Sequence, residues 1–329
     1  MKSVKLTERF FEGAVSFQFV GGAIKPWRLP FEKLKLFDEG LVQVAEMPSG
    51  VRLRLSTDAV ALTLSVVPDP QPRPFDLTIA GKLYATVTAP ADGGHADFRD
   101  LPAGPKLVEI WLPQAYPTAV KGLKVNASAR VSVPRDRRPK WITYGSSITH
   151  CCGAHSPARI WPAVMARKHD LNLTCLGYGG QCHLDSMIGR MIRDMQADFI
   201  SLKLGINTHG GTSSKRTFKF AAIGMVQIIR EKHPNTPIAL IGPIISPPRE
   251  TQRATAVSPT LQEMRQELSD AVERLKACGD RNVHYFDGLD LFGPNLVEKY
   301  LPDQLHPNGD GYELLAENFS RVVMGRLQQ

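Results

Sequence analysis

No stretch of this chain approaches the roughly 18–20 consecutive apolar residues that a membrane span requires. IALIGPII at 238–245 is the longest apolar run of note. The opening residues, MKSVKLTERFFEG, carry charges where a signal peptide needs an apolar segment, so the sequence predicts neither a membrane span nor export. Cysteine is scarce: there are five in 329 residues, none in C-x-x-C spacing, which argues against zinc and disulfide frameworks. Cys151 and Cys152 are adjacent, a poor geometry for bonding each other, and a reduced, cytoplasmic setting is the simplest expectation. Concentrated charge is missing as well. The net charge is +8, but residues 1–135 hold 17 Lys/Arg against 13 Asp/Glu and residues 136–329 hold 23 against 19, so each part is +4. A nucleic-acid footprint should cluster, and beyond RDRRPK at 135–140 nothing does; no nucleic-acid partner is expected.

What is present divides into two patterns. The length favours two domains, and 43% hydrophobic with 22% charged residues supports an ordinary core without staples. Residues 1–135 alternate with period two. Val51, Leu53 and Leu55 share one face of their segment, as do Phe75, Leu77 and Ile79, with Gly81-Lys82 placed to turn the chain back. The run 123–133 continues the alternation through Leu123, Val125, Ala127, Ala129, Val131 and Val133. Short strands punctuated by Pro, Gly and Asp predict an all-β, jelly-roll-like sandwich over 1–135. Pro134 and Pro139, set among Arg135, Arg137, Arg138 and Lys140, read as an exposed linker.

From 136 to 329 the period changes. Apolar runs near 141–144, 173–177, 199–204, 237–242 and 283–286 alternate with helical spacing near 157–168, 184–194, 214–232, 258–277 and 311–327. That alternation predicts an α/β domain with a parallel five-stranded sheet covered on both faces, whose site forms at the strand C-terminal ends.

The segment WITYGSSITHCC at 141–152 puts Gly-Ser-Ser at such an end. Glycine and serine there suit a strand-to-helix turn with a capping hydroxyl, and they equally suit a nucleophile held at the sheet edge. A serine nucleophile needs a base, normally a histidine oriented by a carboxylate. LPDQLHPNGDGYELL at 301–315 supplies Asp303 three residues before His306, a spacing that in a tight turn brings the carboxylate to one ring nitrogen. Oxyanion donors are offered by CLGYGGQCHLD at 175–185 and by Asn207 in LKLGINTHGG at 202–211. Three consecutive βα loops and the final loop thus each deliver one part of a serine hydrolase.

On these blocks, residues 140–329 resemble the GDSL, or SGNH, hydrolase superfamily. The first block, Gly-Asp-Ser-Leu/Ile-Thr, corresponds to Gly145-Ser146-Ser147-Ile148-Thr149, and the third, Gly-x-Asn, to Gly205-Ile206-Asn207. The second-block glycine best matches Gly180, with Gly179 one residue off, and the last block, Asp-x-x-His-Pro, is Asp303 to Pro307. The resemblance implies a three-layer flavodoxin-like fold, metal-free catalysis with no cofactor, and small-molecule or carbohydrate ester substrates. It assigns Ser147 as nucleophile, His306 as base and Asp303 as its orienting acid, with Ser147, Gly180 and Asn207 holding the oxyanion. The expected activity is a serine esterase or acyl hydrolase. An acyltransferase using the same acyl-enzyme, a carbohydrate deacetylase and an inactive binding module are the alternatives.

This chain departs from the family pattern at Ser146, which replaces the Asp of the family's name, and at Thr208, which replaces an Asp that often follows the third-block Asn. Neither position carries a required catalytic atom, and register with Ile148-Thr149 assigns Ser147 rather than Ser146. His150, His183 and His209 come from separate loops without ligand spacing, so they are expected to line the cleft rather than bind metal. Cys151 and Cys152 sit past the turn, where oxyanion donors would not converge, and no thiol nucleophile is expected.

Overall fold

The period-two alternation of the first part builds two antiparallel sheets. The structure is a computed structural model that describes residues 1–327. One sheet runs Ser16–Val20, Ala23–Trp27, Val120–Val125, Leu62–Val66, His95–Phe98, with Lys2–Val4 paired to Val120–Val125. The other runs Val131–Ser132, Arg52–Thr57, Lys106–Trp111, Arg73–Ile79, Lys82–Ala89, with Phe11–Glu12 paired to Arg52–Thr57. Leu53, Leu55, Phe75 and Leu77 from one sheet and Leu62, Leu64, Leu123 and Val125 from the other meet in a single buried core. Removing each such side chain from water contributes about 1.5–3 kcal/mol.

Two local expectations shift. The hairpin turns at Ala80-Gly81 rather than Gly81-Lys82: Ile79 pairs with Lys82, and Ala80 and Gly81 have φ of 48° and 78°. Both central residues at positive φ match the primed two-residue turns that fit strand twist. The run 123–133 is not one strand. It stops at Val125, turns with Ala129 N–H donating to Asn126 O at 3.0 Å, and resumes as Val131–Ser132 in the other sheet, opposite Thr57 and Ser56. Polar loop residues hold this crossing, because Asn126 Oδ1 accepts Val60 N–H at 3.0 Å and Asp58 Oδ1 accepts Arg130 N–H at 2.6 Å.

By contacts, the first unit comprises Met1–Arg138 and also His155–Cys175. The reason lies in the alternation itself. Strands that send Leu53, Leu77 and Ile110 inward send Arg52, Asp76 and Glu109 to the opposite face, and all three of these are buried too. Residues 155–175 satisfy Asp76 and Arg52 on that face. Asp76 Oδ2 accepts Ser156 Oγ–H and, at 2.7 Å, Ala158 N–H. Arg52 donates to Leu173 O at 3.0 Å and Asn172 Oδ1 at 2.8 Å, and the Arg52 and Arg167 guanidinium groups lie 5.0 and 5.7 Å from the Trp111 ring. Burial would raise the Glu109 carboxyl, but Arg52 and Arg138 beside it hold it below its ordinary value. Buried charges persist where they are paired and hydrogen-bonded.

The second unit contains Pro139–Ala154 and the chain from Leu176 onward. Its parallel sheet has the order Asn172–Gly177, Lys140–Gly145, Phe199–Lys203, Ile238–Ile241, Val283–Phe286, which is strand order 2-1-3-4-5. The first of these strands is shared, its residues up to Cys175 clustering with the other unit. Helices Lys215–Arg230 and Leu261–Ala277 start at reciprocal caps, Ser214 with Thr217 and Thr260 with Glu263, which satisfy N–H groups that the helix leaves open. The last predicted helix is Gly309–Phe319, prolonged by a π-helical stretch Ser320–Met324 and by Gly325–Leu327. Among the described residues, no helix is long and apolar enough to cross a membrane. In this strand order successive strands are added first to one side and then to the other of the first strand, and in such sheets a crevice forms at the C-terminal ends of the first and third strands.

Candidate active site

Strand Lys140–Gly145 leads directly into the four-residue helix Ser147–His150. Ser146 is its N-cap, with Oγ accepting Ile148 N–H at 3.3 Å, and is fully buried. Ser147 is instead free to face the crevice, and its Oγ lies 2.9 Å from His306 Nε2. The short helix is clamped from behind: a Cβ on Gly177 would stand 2.3 Å from His150 N and 2.4 Å from Thr149 C. Only glycine lets the strand approach the helix backbone so closely.

The Asp303–His306 turn is built by one carboxylate. Asp303 Oδ1 accepts the backbone N–H groups of Leu305 at 3.0 Å and His306 at 2.7 Å, while Oδ2 stands 2.6 Å from His306 Nδ1. Partial burial would raise the Asp303 carboxyl, but these hydrogen bonds from the His306 backbone and ring and from Leu305 bring it down to about 2. It is therefore ionised near neutrality, accepts Nδ1–H, and leaves Nε2 as the acceptor for the Ser147 hydroxyl. Gln304 sits between them at φ 59°, a conformation that costs a non-glycine residue energy unless its surroundings hold it. Here they do: Gln304 O accepts Ser246 Oγ–H at 2.8 Å.

Gly179 and Gly180 differ in what their N–H groups do. Gly179 N–H donates to His150 Nδ1 at 3.3 Å, whereas Gly180, at φ 72°, faces the cleft with Ser147 and Asn207. Asn207 precedes a 3-10 turn, but its side chain does not cap it. Its Oδ1 accepts Cys182 N–H at 3.0 Å, which fixes the amide orientation and leaves Nδ2 as its donor. Thr208 Oγ1 is turned back onto Gly205 O at 2.8 Å.

Ser147, Gly180, Asn207 and His306 line an open cleft of about 530 Å³ together with Ile206, His209, Arg249 and Leu305. A larger cavity of about 710 Å³ in the first unit, lined by Lys2, Asp58 and Arg130 among others, brings no nucleophile and base together. Of the three histidines expected to line the cleft, only His209 does so, with Nε2 paired to Gln252 O at 3.0 Å. His150 is buried and braces Gly179, and His183 is held between Gly180 O and Thr212 Oγ1, both at 2.9 Å. Their backbone positions, just past each block, looked alike in sequence; their hydrogen-bond partners separate them. Among the described residues, no three His, Cys, Asp or Glu side chains converge as metal ligands, and no disulfide joins the five cysteines. Behind the cleft, burial pushes the Cys182 thiol up to about 12.

Sequence reasoning passed over Ser246 and Arg249. The available signal was positional, since SPPRE opens the loop after the fourth strand, at the same sheet edge as the three blocks that were recognised.

Comparison with known proteins places the chain in a family. A GDSL-like lipase/acylhydrolase family model matches residues 139–324, and a model of the SsfX3 N-terminal domain matches 9–120. Among solved structures, the salicylyl-acyltransferase SsfX3 from a tetracycline biosynthetic pathway is 37% identical, over 99% of this chain and 97% of that one, with a TM-score of 0.92. A putative GDSL-like lipase from Bacteroides ovatus is 19% identical over 97% and 95%, TM-score 0.77. A family two carbohydrate esterase from Clostridium thermocellum is 14% identical over 85% and 93%, TM-score 0.68. No curated protein matches the sequence. With more than half of its length under one family model and a 37% identical relative aligned almost end to end, this chain belongs to the GDSL-like lipase/acylhydrolase family of hydrolytic and acyl-transferring enzymes.

Proposed function

We propose that this chain transfers an acyl group from an ester through a covalent intermediate on Ser147. Ser147 Oγ attacks the carbonyl carbon while His306 Nε2 takes its proton. His306 then returns that proton to the departing alcohol oxygen, and the acyl group stays on Ser147. Asp303 holds the ring in the tautomer this requires and stabilises the imidazolium that forms. Negative charge collecting on the carbonyl oxygen meets Ser147 N–H, Gly180 N–H and Asn207 Nδ2–H, donors fixed before the reaction begins. One observation carries this reading: Ser147 Oγ is 2.9 Å from His306 Nε2 while Asp303 Oδ2 is 2.6 Å from Nδ1. The division into a sandwich domain at 1–135 and a catalytic domain at 136–329 belongs to the same proposal and is supported by family matches on either side of residue 135.

The second nucleophile is water in an esterase and an alcohol in a transferase, and the same His306 serves both. The near end-to-end, 37% identity with a salicylyl-acyltransferase favours transfer to an acceptor. The carbohydrate esterases, at 14–16% identity, share the fold and carry no argument about substrate. The test is a series of chromogenic acetyl, butyryl and aromatic esters, each with and without acceptor alcohols, with the products identified by mass spectrometry. Ester product made from an acceptor supports transfer, and free acid alone supports hydrolysis. Turnover that survives Ser147→Ala would sink the acyl-enzyme scheme.

A further inference from the structure

The cleft beside Ser147 holds a charge that the acyl-transfer scheme does not use. Arg249 closes the turn Pro247–Arg249 after the fourth strand and lines the cleft with Gly180, Asn207 and His306. One Nη1–H donates to Ser246 Oγ at 2.9 Å. Among the described residues, no carboxylate lies within ion-pair distance of this guanidinium, while its neighbours are paired. Arg253 meets Glu263 at 2.5 Å, and Arg265 takes Glu250, the acid adjacent to Arg249 in sequence. No Asp or Glu lines the cleft.

An arginine keeps its charge at any working pH, and its planar fork matches a carboxylate in a bidentate pair. A half-buried arginine with no ion pair, lining the same cleft as the reacting serine, is therefore set up for an anion that arrives with the substrate. We propose that Arg249 is a specificity-determining residue that selects esters bearing a carboxylate or similar oxyanion close to the scissile bond. This rests on the acyl-transfer reading of Ser147. The competing role is a brace, because Arg249 holds Ser246 and Ser246 holds Gln304 O in the turn that carries His306. A brace would slow neutral and anionic esters alike, whereas recognition changes their ratio.

Two matched ester pairs read that ratio as kcat/KM. p-Nitrophenyl hemisuccinate against p-nitrophenyl butyrate places the anion on the acyl side, and 4-acetoxybenzoate against 4-acetoxybenzamide places it on the alcohol side. In at least one pair the wild-type protein should prefer the anionic ester by about tenfold or more, less so at high salt. Arg249→Gln should bring that preference close to one, and Arg249→Lys should retain part of it. The proposal is overturned if neither pair shows a preference for the anion, if the preference survives Arg249→Gln, or if both members slow equally. Calorimetric titration of the Ser147→Ala protein with the hemisuccinate ester and with 4-acetoxybenzoate makes the test independent of turnover. Adding Arg249→Gln should weaken binding of the favoured anion about tenfold, and equal affinities would again overturn the proposal. If wild-type protein turns over no ester while that Arg249-dependent affinity remains, the acyl-transfer reading fails and the anion site stands.

Discussion

Replacing Asn207 with alanine removes two atoms with different duties. Oδ1 accepts Cys182 N–H at 3.0 Å, and Cys182 is only 1% exposed, so its loss strands a buried donor at a cost of about 1–3 kcal/mol. Nδ2 is the donor that the oxyanion would use; losing one such donor typically costs about 2.7–4 kcal/mol in the transition state, or on the order of 10²–10³ in kcat. Asn207→Ala should therefore lose both stability and turnover, with KM little changed because the donor acts on charge that appears only during reaction. Asn207→Asp separates the two effects. It keeps an oxygen for Cys182 N–H but puts an acceptor where a donor is required, so its melting temperature should lie closer to wild type while kcat falls at least as far as in the alanine variant. Steady-state kinetics and thermal melts of the three proteins decide the matter. Near-normal kcat in Asn207→Asp would refute the donor role. An alanine variant that melts early but turns over normally would show that Asn207 only fastens the loop at Cys182.

Three further outcomes follow from the geometry. Ser146→Ala should cost about 1 kcal/mol as a lost helix cap and keep most turnover and fluorophosphonate labelling, while Ser147→Ala should abolish both; the reverse pattern would place the nucleophile one residue earlier. Gly177→Ala should destabilise the protein by about 1–3 kcal/mol or more and lower kcat, because its Cβ would displace the His150 backbone; an unchanged urea midpoint would refute the clamp. Burial lowers the Lys203 amine to about 8, against the opposing influence of Cys182 and Cys151. The unfolded chain then binds more protons between pH 8 and 10.5, and stability rises with pH across that window. Lys203→Met should accordingly stabilise the protein at pH 7, on the order of a few kcal/mol, with a gain that shrinks toward pH 10; a gain independent of pH in urea titrations would refute this account.

That Ser147, His306 and Asp303 meet was legible because the constraints on each are local. Gly-Ser-Ser-Ile-Thr encodes a strand end and a helix cap within five residues, and Asp-x-x-His closes a turn through a single carboxylate. The strand order could be anticipated only through the family resemblance, since alternation of strands and helices does not distinguish one order from another. What escaped depends on distant chain. Arg52, Asp76 and Glu109 alternate with Leu53, Leu77 and Ile110 as solvent-facing residues would, and nothing nearby announces that residues 155–175 cover them. His150 and His209 occupy equivalent places after their blocks, but only packing tells the brace from the cleft wall. Arg249 follows no motif, and its interest lies in an ion pair it lacks, because Glu250 is taken by Arg265.

The discontinuity of the first unit also sets a schedule for its synthesis. A chain emerging from the ribosome presents the Arg52–Thr57 and Arg73–Ile79 strands before Ser156, Ala158 and Leu173 exist to receive the buried polar groups of Arg52 and Asp76. At typical elongation rates, the gap between residue 138 and residue 175 lasts about 2–7 s. During that interval the sandwich has its apolar core but an unsatisfied outer face. A nascent-chain arrest series should therefore find it protease-sensitive when stalled with residue 140 just outside the exit tunnel, and protected once residue 175 has cleared it.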